Sequence, residues 1–519
     1  MKRLFSAVLV LFIVLSLPMA FDAENIAAAD KIGETKTKKE IIEEFKNSIQ
    51  IGGGYADVRS EDSVRLMKEN GLDFTFLGFS ESNDIEKIKL CEKYGLKIFL
   101  SEWDLTMHGD KDLITAPPVE DYQNIVNQEK VSNPSVIGHS LCDEPTAAGM
   151  PSVGDSVDRY RSVNSDLIPF VNLYPSVIYS DLEQYDEYLK LYLDETLNDY
   201  VSFDIYPLRI NNTTQKDYYI NLSQVSRFAR ENNIDYWMYI QSMSYGPAGG
   251  LSHRAPSLND MLFQMYSSLS FGVTKFIHFC YGTPASGVEM FPYGSVDADG
   301  NKTELWDITK KANDEIHAIG DAYMKYNHLG AFKVNPSTGK RAPAYVNDWR
   351  DTYNDFEAFE SIESDYAALV GCFEKKDGEG QAFTLVNASD LSNNTLSTTK
   401  FKLNELKKVK AYIGGNPEYL EPDNDGVYTI ELESGHGVFV ELEEYDKVII
   451  LGDADGDGVI TMTDALIVLQ DEAKIKQMNY YQKIAADIDK DSKITMSDTV
   501  SILKYVARLT DELKPDINN

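Results

Sequence analysis

The sequence predicts an α/β fold: a (β/α)8 TIM barrel, then an antiparallel β-sandwich, then a small all-α unit at the C-terminus. Eight short apolar runs alternate with helical patterns up to about residue 330, the periodicity then changes to strand-like alternation, and one twelve-residue acidic pattern occurs twice near the end. At 519 residues the chain exceeds one ordinary domain. The expected division is a leader over 1–29, a barrel over 30–330, a sandwich over 331–446 and the terminal unit over 447–519.

Met1-Lys2-Arg3 followed by the apolar run Leu4 to Pro18 has the basic start and short hydrophobic centre of a secretory signal, with cleavage points at Ala20, Ala23 and Ala27 to Ala29. The run is short for a membrane span, and no cysteine follows it to carry a lipid, so a secreted protein is expected. A formal net charge of -34 argues against nucleic acid and anionic membranes, which select basic patches. Cys91, Cys142, Cys280 and Cys372 are too scattered for a disulfide framework or zinc cluster and read as buried thiols.

After a polar Lys- and Glu-rich segment near Thr35 to Glu44, the strand candidates are Ser48 to Gly53, Phe74 to Gly78, Lys97 to Glu102, Val136 to Leu141, Ile168 to Leu173, Tyr200 to Ile205, Tyr236 to Gln241 and Lys275 to Cys280. Helical patterns such as Glu61 to Asn70, Asp84 to Tyr94, Leu222 to Asn232 and Asn259 to Phe271 separate them, several ending in Gly or Asn. Eight such units are what a (β/α)8 barrel requires, with Leu305 to Tyr326 as its closing helix. A doubly wound sheet is the alternative, but no Gly-rich phosphate loop follows the first strand. Beyond it, Ala367 to Glu374, Gln381 to Val386, Lys408 to Ile413, Val427 to Leu432 and Gly437 to Leu442 alternate as strands between Gly, Asn and Asp turns.

In the acidic repeats, Asp453, Asp455, Asp457, Thr461 and Asp464 place oxygen-bearing side chains at loop positions 1, 3, 5, 9 and 12. Val459 offers a backbone carbonyl at position 7, and Gly458 permits the sharp turn. The spacing suits a hard cation that takes six to eight oxygens. Asp487, Asp489, Asp491, Lys493, Thr495 and Asp498 repeat it, with Ser492 where the first loop has glycine. Each loop leads into an amphipathic helix, Thr463 to Asp471 and Ser497 to Leu509. Position 12 is Asp, not the Glu of ordinary calcium-sensor loops, and the strand-like Val448 to Gly452, not a helix, precedes the first repeat. In these departures the pair resembles a type I dockerin. The resemblance implies two calcium ions and, as partner, a cohesin module on the scaffoldin of a bacterial cellulosome-type complex. It also implies that Met462-Thr463 and Met496-Ser497, at positions 10 and 11, choose the cohesin, and their near identity would let either repeat present the binding face.

Chemistry in such a barrel sits at the C-terminal ends of the strands. The fourth strand ends in Cys142-Asp143-Glu144-Pro145, which resembles the acid/base position of the clan of retaining glycoside hydrolases built on this barrel, the β-galactosidase-like members included. The resemblance implies Glu144 as the general acid, acting on polysaccharide or oligosaccharide. That clan's nucleophile is a Glu at the end of strand seven, where this chain has Gln241, and an amide cannot attack an anomeric carbon. Three readings stay open: a misplaced strand count, a second carboxylate elsewhere on the rim (Asp204, then Glu102, with Asp104 near it), or a barrel that only binds sugar, with Gln241 hydrogen-bonding a hydroxyl. The alternative is thus a non-catalytic carbohydrate-binding or structural subunit of the same complex. Asp143, Trp103, Tyr206 and Tyr281, with Tyr174 and Tyr245, are candidate substrate contacts. Asp297, Asp299 and Asn301 read as turn residues, and His139 and His278 as core groups.

Overall fold

The computed structural model describes residues 36–513 apart from 79–83, 248, 285–288, 348, 350 and 351. The signal-like segment over 1–29 lies outside the described residues. Strands β1 (Gln50–Gly53), β2 (Phe74–Leu77), β3 (Lys97–Leu100), β4 (Val136–Asp143), β5 (Ile168–Asn172), β6 (Tyr200–Asp204), β7 (Asp235–Gln241) and β8 (Lys275–Phe279) form one parallel sheet in the order 5-4-3-2-1-8-7-6. A parallel bridge between Leu173 and Phe203 closes it, with Leu173 N donating to Ser202 O at 2.8 Å. Closure excludes the doubly wound alternative. The strands read as almost continuous apolar runs because both their faces are covered.

Aromatic side chains fill the lumen. Phe170 stacks on Trp237 at 5.9 Å and Tyr200 on Trp237 at 4.3 Å, while Phe99 packs between Phe76 and Trp237. Gly52 is required beside them, since a Cβ there would lie 2.4 Å from the Phe74 ring. The Lys- and Glu-rich segment folds as helix α1 (Lys38–Lys46), opened by a capping box between Thr37 and Glu40. It packs Phe45 against Phe74, Phe99 and Trp237.

The closing helix ends at Tyr323, and the strand Tyr326–Val334 already belongs to the sandwich, ahead of the expected boundary at 331. In spatial order the larger sheet holds Tyr326–Val334, Ala368–Lys375, Gln381–Asn387, Gly437–Glu444, Lys407–Ile413 and Asn416–Leu420; the smaller holds Phe359–Ser364, Ser397–Leu403 and Tyr428–Leu432. Their core includes Val370, Phe383, Leu385, Phe401 and Val440. The larger sheet packs on helices α2 (Leu258–Ser270) and α3 (Glu304–Tyr323). The Ser270 and Thr384 hydroxyls meet at 2.7 Å, and Tyr323 touches Phe373 and Phe439 edge-on.

Among the described residues the C-terminal unit has three helices, α4 (Met462–Glu472), α5 (Tyr480–Ala486) and α6 (Met496–Val506), around Ala465, Val468, Met478, Ala486 and Ile502. Helix α5, which lies between the two repeats, rests on the sandwich. Tyr481 stacks on Tyr445 at 5.1 Å and donates its hydroxyl to Glu421 at 2.9 Å, and Lys483 pairs with Asp425 at 3.1 Å. Tyr480 lies so close over Gly426 that a Cβ there would stand 2.5 Å from its ring. Among the described residues no helix is long and apolar enough to cross a membrane.

Candidate active site and calcium loops

At the C-terminal mouth of the barrel, strands β4, β5 and β6 bring four polar side chains together. β4 ends on Asp143, and the next residue, Glu144, has φ of 50°, left-handed backbone that a residue with a Cβ adopts at a cost of about 1–2 kcal/mol. Glu144 N donates to Asn172 O at 2.8 Å, which holds the turn against β5. Asn172 Nδ2 donates to Asp143 Oδ1 at 3.2 Å and to Asp204 Oδ1 at 3.0 Å, while its Oδ1 accepts from Ser202 Oγ at 3.0 Å. The amide therefore bridges the carboxylates of β4 and β6.

The Glu144 carboxyl lies within hydrogen-bonding reach of Asp204. Burial, followed by the Asp143 charge, pushes Glu144 up to about 7, against the pull of Lys111 and the bond to Asp204. Asp204 is raised well above the ordinary carboxylate range, by burial first and then by Glu144 and Asp143. Asp143, open to the cleft but enclosed on its other sides, is also raised, again chiefly by burial. With its value near 7, Glu144 holds a proton over much of the neutral range that an ordinary carboxylate would have released. Lys111 Nζ donates to the Asp143 carbonyl and is a cation beside the cluster.

An aromatic wall flanks these groups. Tyr206 stacks on Phe279 at 4.8 Å and meets Tyr245 edge-on at 5.5 Å; Tyr55 meets Phe279 edge-on at 6.4 Å and is 56% exposed. Trp103 is 64% exposed and stacked on His108, and Tyr174 is half-buried close enough to feel the three carboxylates.

Other candidates stand elsewhere. Gln241 is fully buried: its Oε1 accepts from Leu208 N at 2.9 Å and its Nε2 donates to the carbonyls of Leu208, Met243 and Arg254. Its amide is spent on holding loops, so the expected bond to a sugar hydroxyl is not available. Glu102 is buried in an ion pair with Lys130 and lacks a free carboxylate face. Tyr281 is 1% exposed within the core and offers no ring to a sugar. His139 and His278 are buried outside the lumen, bonded to Tyr160 at 2.8 Å and Asn313 at 2.9 Å. Asp297 accepts from Asp299 N and Asn301 N, a turn as expected. Asn172 and Tyr55 escaped the sequence reading, although Asn172 ends an apolar strand run, a signal that was there.

In the C-terminal unit, the carboxylate oxygens of Asp453, Asp455 and Asp457 lie within 4.8 Å of one another, as do those of Asp487, Asp489 and Asp491. Asp464 and Asp498 are buried at position 12; Asp464 accepts from Asp455 N at 2.9 Å and Thr461 N at 2.7 Å, Asp498 from Ile488 N and Thr495 N, both at 2.9 Å. Clustered carboxylates in a tight oxygen-lined loop fit a calcium ion. Gly458 has φ of 89° and Ser492 has φ of 64°, so the second loop makes the same turn without glycine. Met462 and Met496 are 62% and 52% exposed at the first turns of α4 and α6, beside Thr463 and Ser497.

Residues 451–507 match the Dockerin type I domain, so the C-terminal unit is a dockerin. Solved structures similar to parts of this chain include glycoside hydrolases. One is a catalytic mutant of a GH42 beta-galactosidase from G. stearothermophilus, at 9% identity over 76% of this chain and 98% of that chain, with TM-score 0.47. Another is an Anoxybacillus alpha-amylase, at 9% identity over 79% of this chain and 100% of that one, with TM-score 0.43. Against the beta-galactosidase of Marinomonas ef1, at 12% identity and TM-score 0.39, the alignment takes in 54% of this chain and 62% of that one, so this chain spans under two thirds of that relative. Among curated proteins no match was found.

Proposed function

We propose that the barrel is a glycoside hydrolase, cleaving O-glycosidic bonds of plant polysaccharide or oligosaccharide, and that the dockerin attaches it to a cohesin on a scaffoldin outside the cell. The observation that carries the catalytic reading is Glu144: a carboxyl at the end of β4, on left-handed backbone, raised to about 7 beside Asp204. A proton held there at neutral pH is what a departing glycosidic oxygen needs. Asp204 supports it as proton-sharing partner, Asn172 and Asp143 fix the pair, and Tyr55, Trp103, Tyr174 and Tyr206 supply ring faces for pyranoses.

Two calcium ions belong to this reading. Asp453, Asp455, Asp457, Val459, Thr461 and Asp464 would hold one, and Asp487, Asp489, Asp491, Lys493, Thr495 and Asp498 the other, with the valine and lysine contributing backbone carbonyls. Met462, Thr463, Met496 and Ser497 would face the cohesin. A carbohydrate-binding subunit without hydrolysis is the second reading, favoured by the amide in place of a carboxylate at the end of β7. A panel of polysaccharides and aryl glycosides, assayed with the wild type and Glu144→Gln, separates the two. Hydrolysis lost in the variant supports the enzyme; sugar binding without hydrolysis in the wild type sinks it.

A further inference from the structure

The carboxylates of β4 and β6 share one amide. Asn172, buried at the end of β5, accepts the Ser202 hydroxyl on its Oδ1 at 3.0 Å, which leaves its NH2 group to face the cluster. That nitrogen donates to Asp143 Oδ1 at 3.2 Å and to Asp204 Oδ1 at 3.0 Å. The two N–H bonds of an amide diverge by about 120°, so acceptors taken one on each stand about 5–5.5 Å apart. Even directly opposed across the nitrogen, the two oxygens would stay within about 6.2 Å. Retaining glycoside hydrolases hold their two carboxyls about 5–5.5 Å apart, whereas inverting ones need about 6.5–9.5 Å to admit a water.

Both arms of this bridge are anchored in the sheet. Asp143 is paired with Asn172 in the β4–β5 register, Glu144 N donates to Asn172 O at 2.8 Å, and Leu173 N donates to Ser202 O at 2.8 Å where the barrel closes. The two ends differ in their surroundings. Asp204 is buried, and of Asp143, Glu144 and Asp204 only Asp143 is exposed. The Lys111 ammonium, bonded to the Asp143 carbonyl, and the Asn172 N–H both favour the charged form of that carboxylate. A carboxylate open to the cleft beside a desolvated carboxyl supplies the two roles that double displacement needs, a nucleophile and an acid.

We propose that Asp143 is the catalytic nucleophile and that Asn172 positions it at the retaining separation, with Asp204 opposite on the acid side of the cluster. The proposal rests on the hydrolase reading. An Asp143 oxygen bonds to the anomeric carbon as the bond to the leaving oxygen breaks, and the proton of the Glu144–Asp204 pair passes to that oxygen. Water then opens the glycosyl ester. Its oxygen bonds to the anomeric carbon, its proton returns to the pair, and Asp143 departs as a carboxylate, so the configuration is retained.

The test uses the full chain in calcium with 2,4-dinitrophenyl glycosides, whose leaving group departs without a proton. Asp143→Ala and Asp143→Asn should lose about a hundredfold or more in kcat, while Glu144→Ala stays within about tenfold. Azide should restore Asp143→Ala and yield a glycosyl azide of inverted configuration, a rescue that a misfolded variant does not give. Asn172→Ala should lower kcat by about tenfold or more with KM little changed, since it leaves both carboxylates in place without their shared donor. In the wild type, a 2-deoxy-2-fluoro glycoside should label Asp143, located by peptide mass spectrometry, and NMR of the fresh product should show the retained anomer. A wild type inert on every glycoside overturns the hydrolase reading and this proposal together. An active wild type that yields the inverted anomer, carries no label on Asp143, or tolerates the Asp143 variants within about tenfold overturns this proposal alone.

Discussion

Glu144 and Asp204 both bind a proton more tightly in the folded chain than an unfolded carboxyl does, and activity and stability then depend on pH in opposite ways to most surface acids. The acid must be protonated to work, so kcat should fall as pH rises through about 7, and a profile flat to pH 9 would refute Glu144 as the acid. The sign for stability follows from the same shift. Below the unfolded value of about 4.3 both states are protonated and nothing is lost; as pH rises through the folded value, stability declines. Glu144→Gln removes that decline. It should raise the unfolding free energy at pH 8 by roughly 1–3 kcal/mol and change it little at pH 4, read by denaturant titration at the two pH values, while lowering kcat by about a hundredfold or more. Stability gained together with activity lost is the mark of a site that stores unfavourable electrostatics for chemistry.

At the scale of elements, Gln241 ends β7 as a strut between loops. Gln241→Ala would strand the Leu208 amide and take the Gln241 partner from the carbonyls of Met243 and Arg254, while Leu208 O keeps the Arg254 amide, and it should cost about 2–5 kcal/mol in thermal unfolding of the barrel. A stable variant altered only in KM would instead restore it to the substrate. The second acidic loop pays for its turn, because Ser492 sits in the left-handed region where Gly458 sits in the first. Ser492→Gly should stabilise that loop by about 1 kcal/mol and tighten the weaker of two steps in a calorimetric calcium titration. Both loops were legible from sequence because their pattern is local: each run of twelve residues contains all of its clustered carboxylates. The eight barrel strands were legible because each is a short apolar run between helical patterns. The strands Phe359–Ser364 and Asn416–Leu420 carry few buried residues and helix α1 has only Ile42 and Phe45 buried, so their patterns were too faint to read. The candidate cluster was half legible: strand ends named Glu144 and Asp204, but that Asn172 bridges the carboxylates of β4 and β6 depends on barrel curvature, which no linear pattern encodes.

For the whole molecule, the decisive contact is the one between dockerin and sandwich. A dockerin on a loose tether would leave the barrel free to reorient about its scaffold, whereas α5 is fixed on the sandwich by Tyr480, Tyr481 and Lys483. Helix α5 also ends at Asp487, whose amide donates to Lys483 O and whose carboxylate opens the second acidic loop, so the docking helix and that loop share a residue. The faces carrying Met462 and Met496 stay exposed while α5 is docked. The stacked tyrosines and a partly exposed ion pair together are worth about 1–3 kcal/mol, enough to keep the docked form in the majority. Tyr481→Ala combined with Lys483→Glu should therefore raise the radius of gyration measured by small-angle scattering and speed proteolytic cleavage of the connector near Val448, which is 87% exposed. kcat on small aryl glycosides should not change, because Tyr480, Tyr481 and Lys483 of α5 are engaged by Gly426, Tyr445, Glu421 and Asp425 of the sandwich. Scattering and cleavage indistinguishable from the wild type would mean that the dockerin is already mobile, and that the barrel's reach on a scaffold is set by the connector alone.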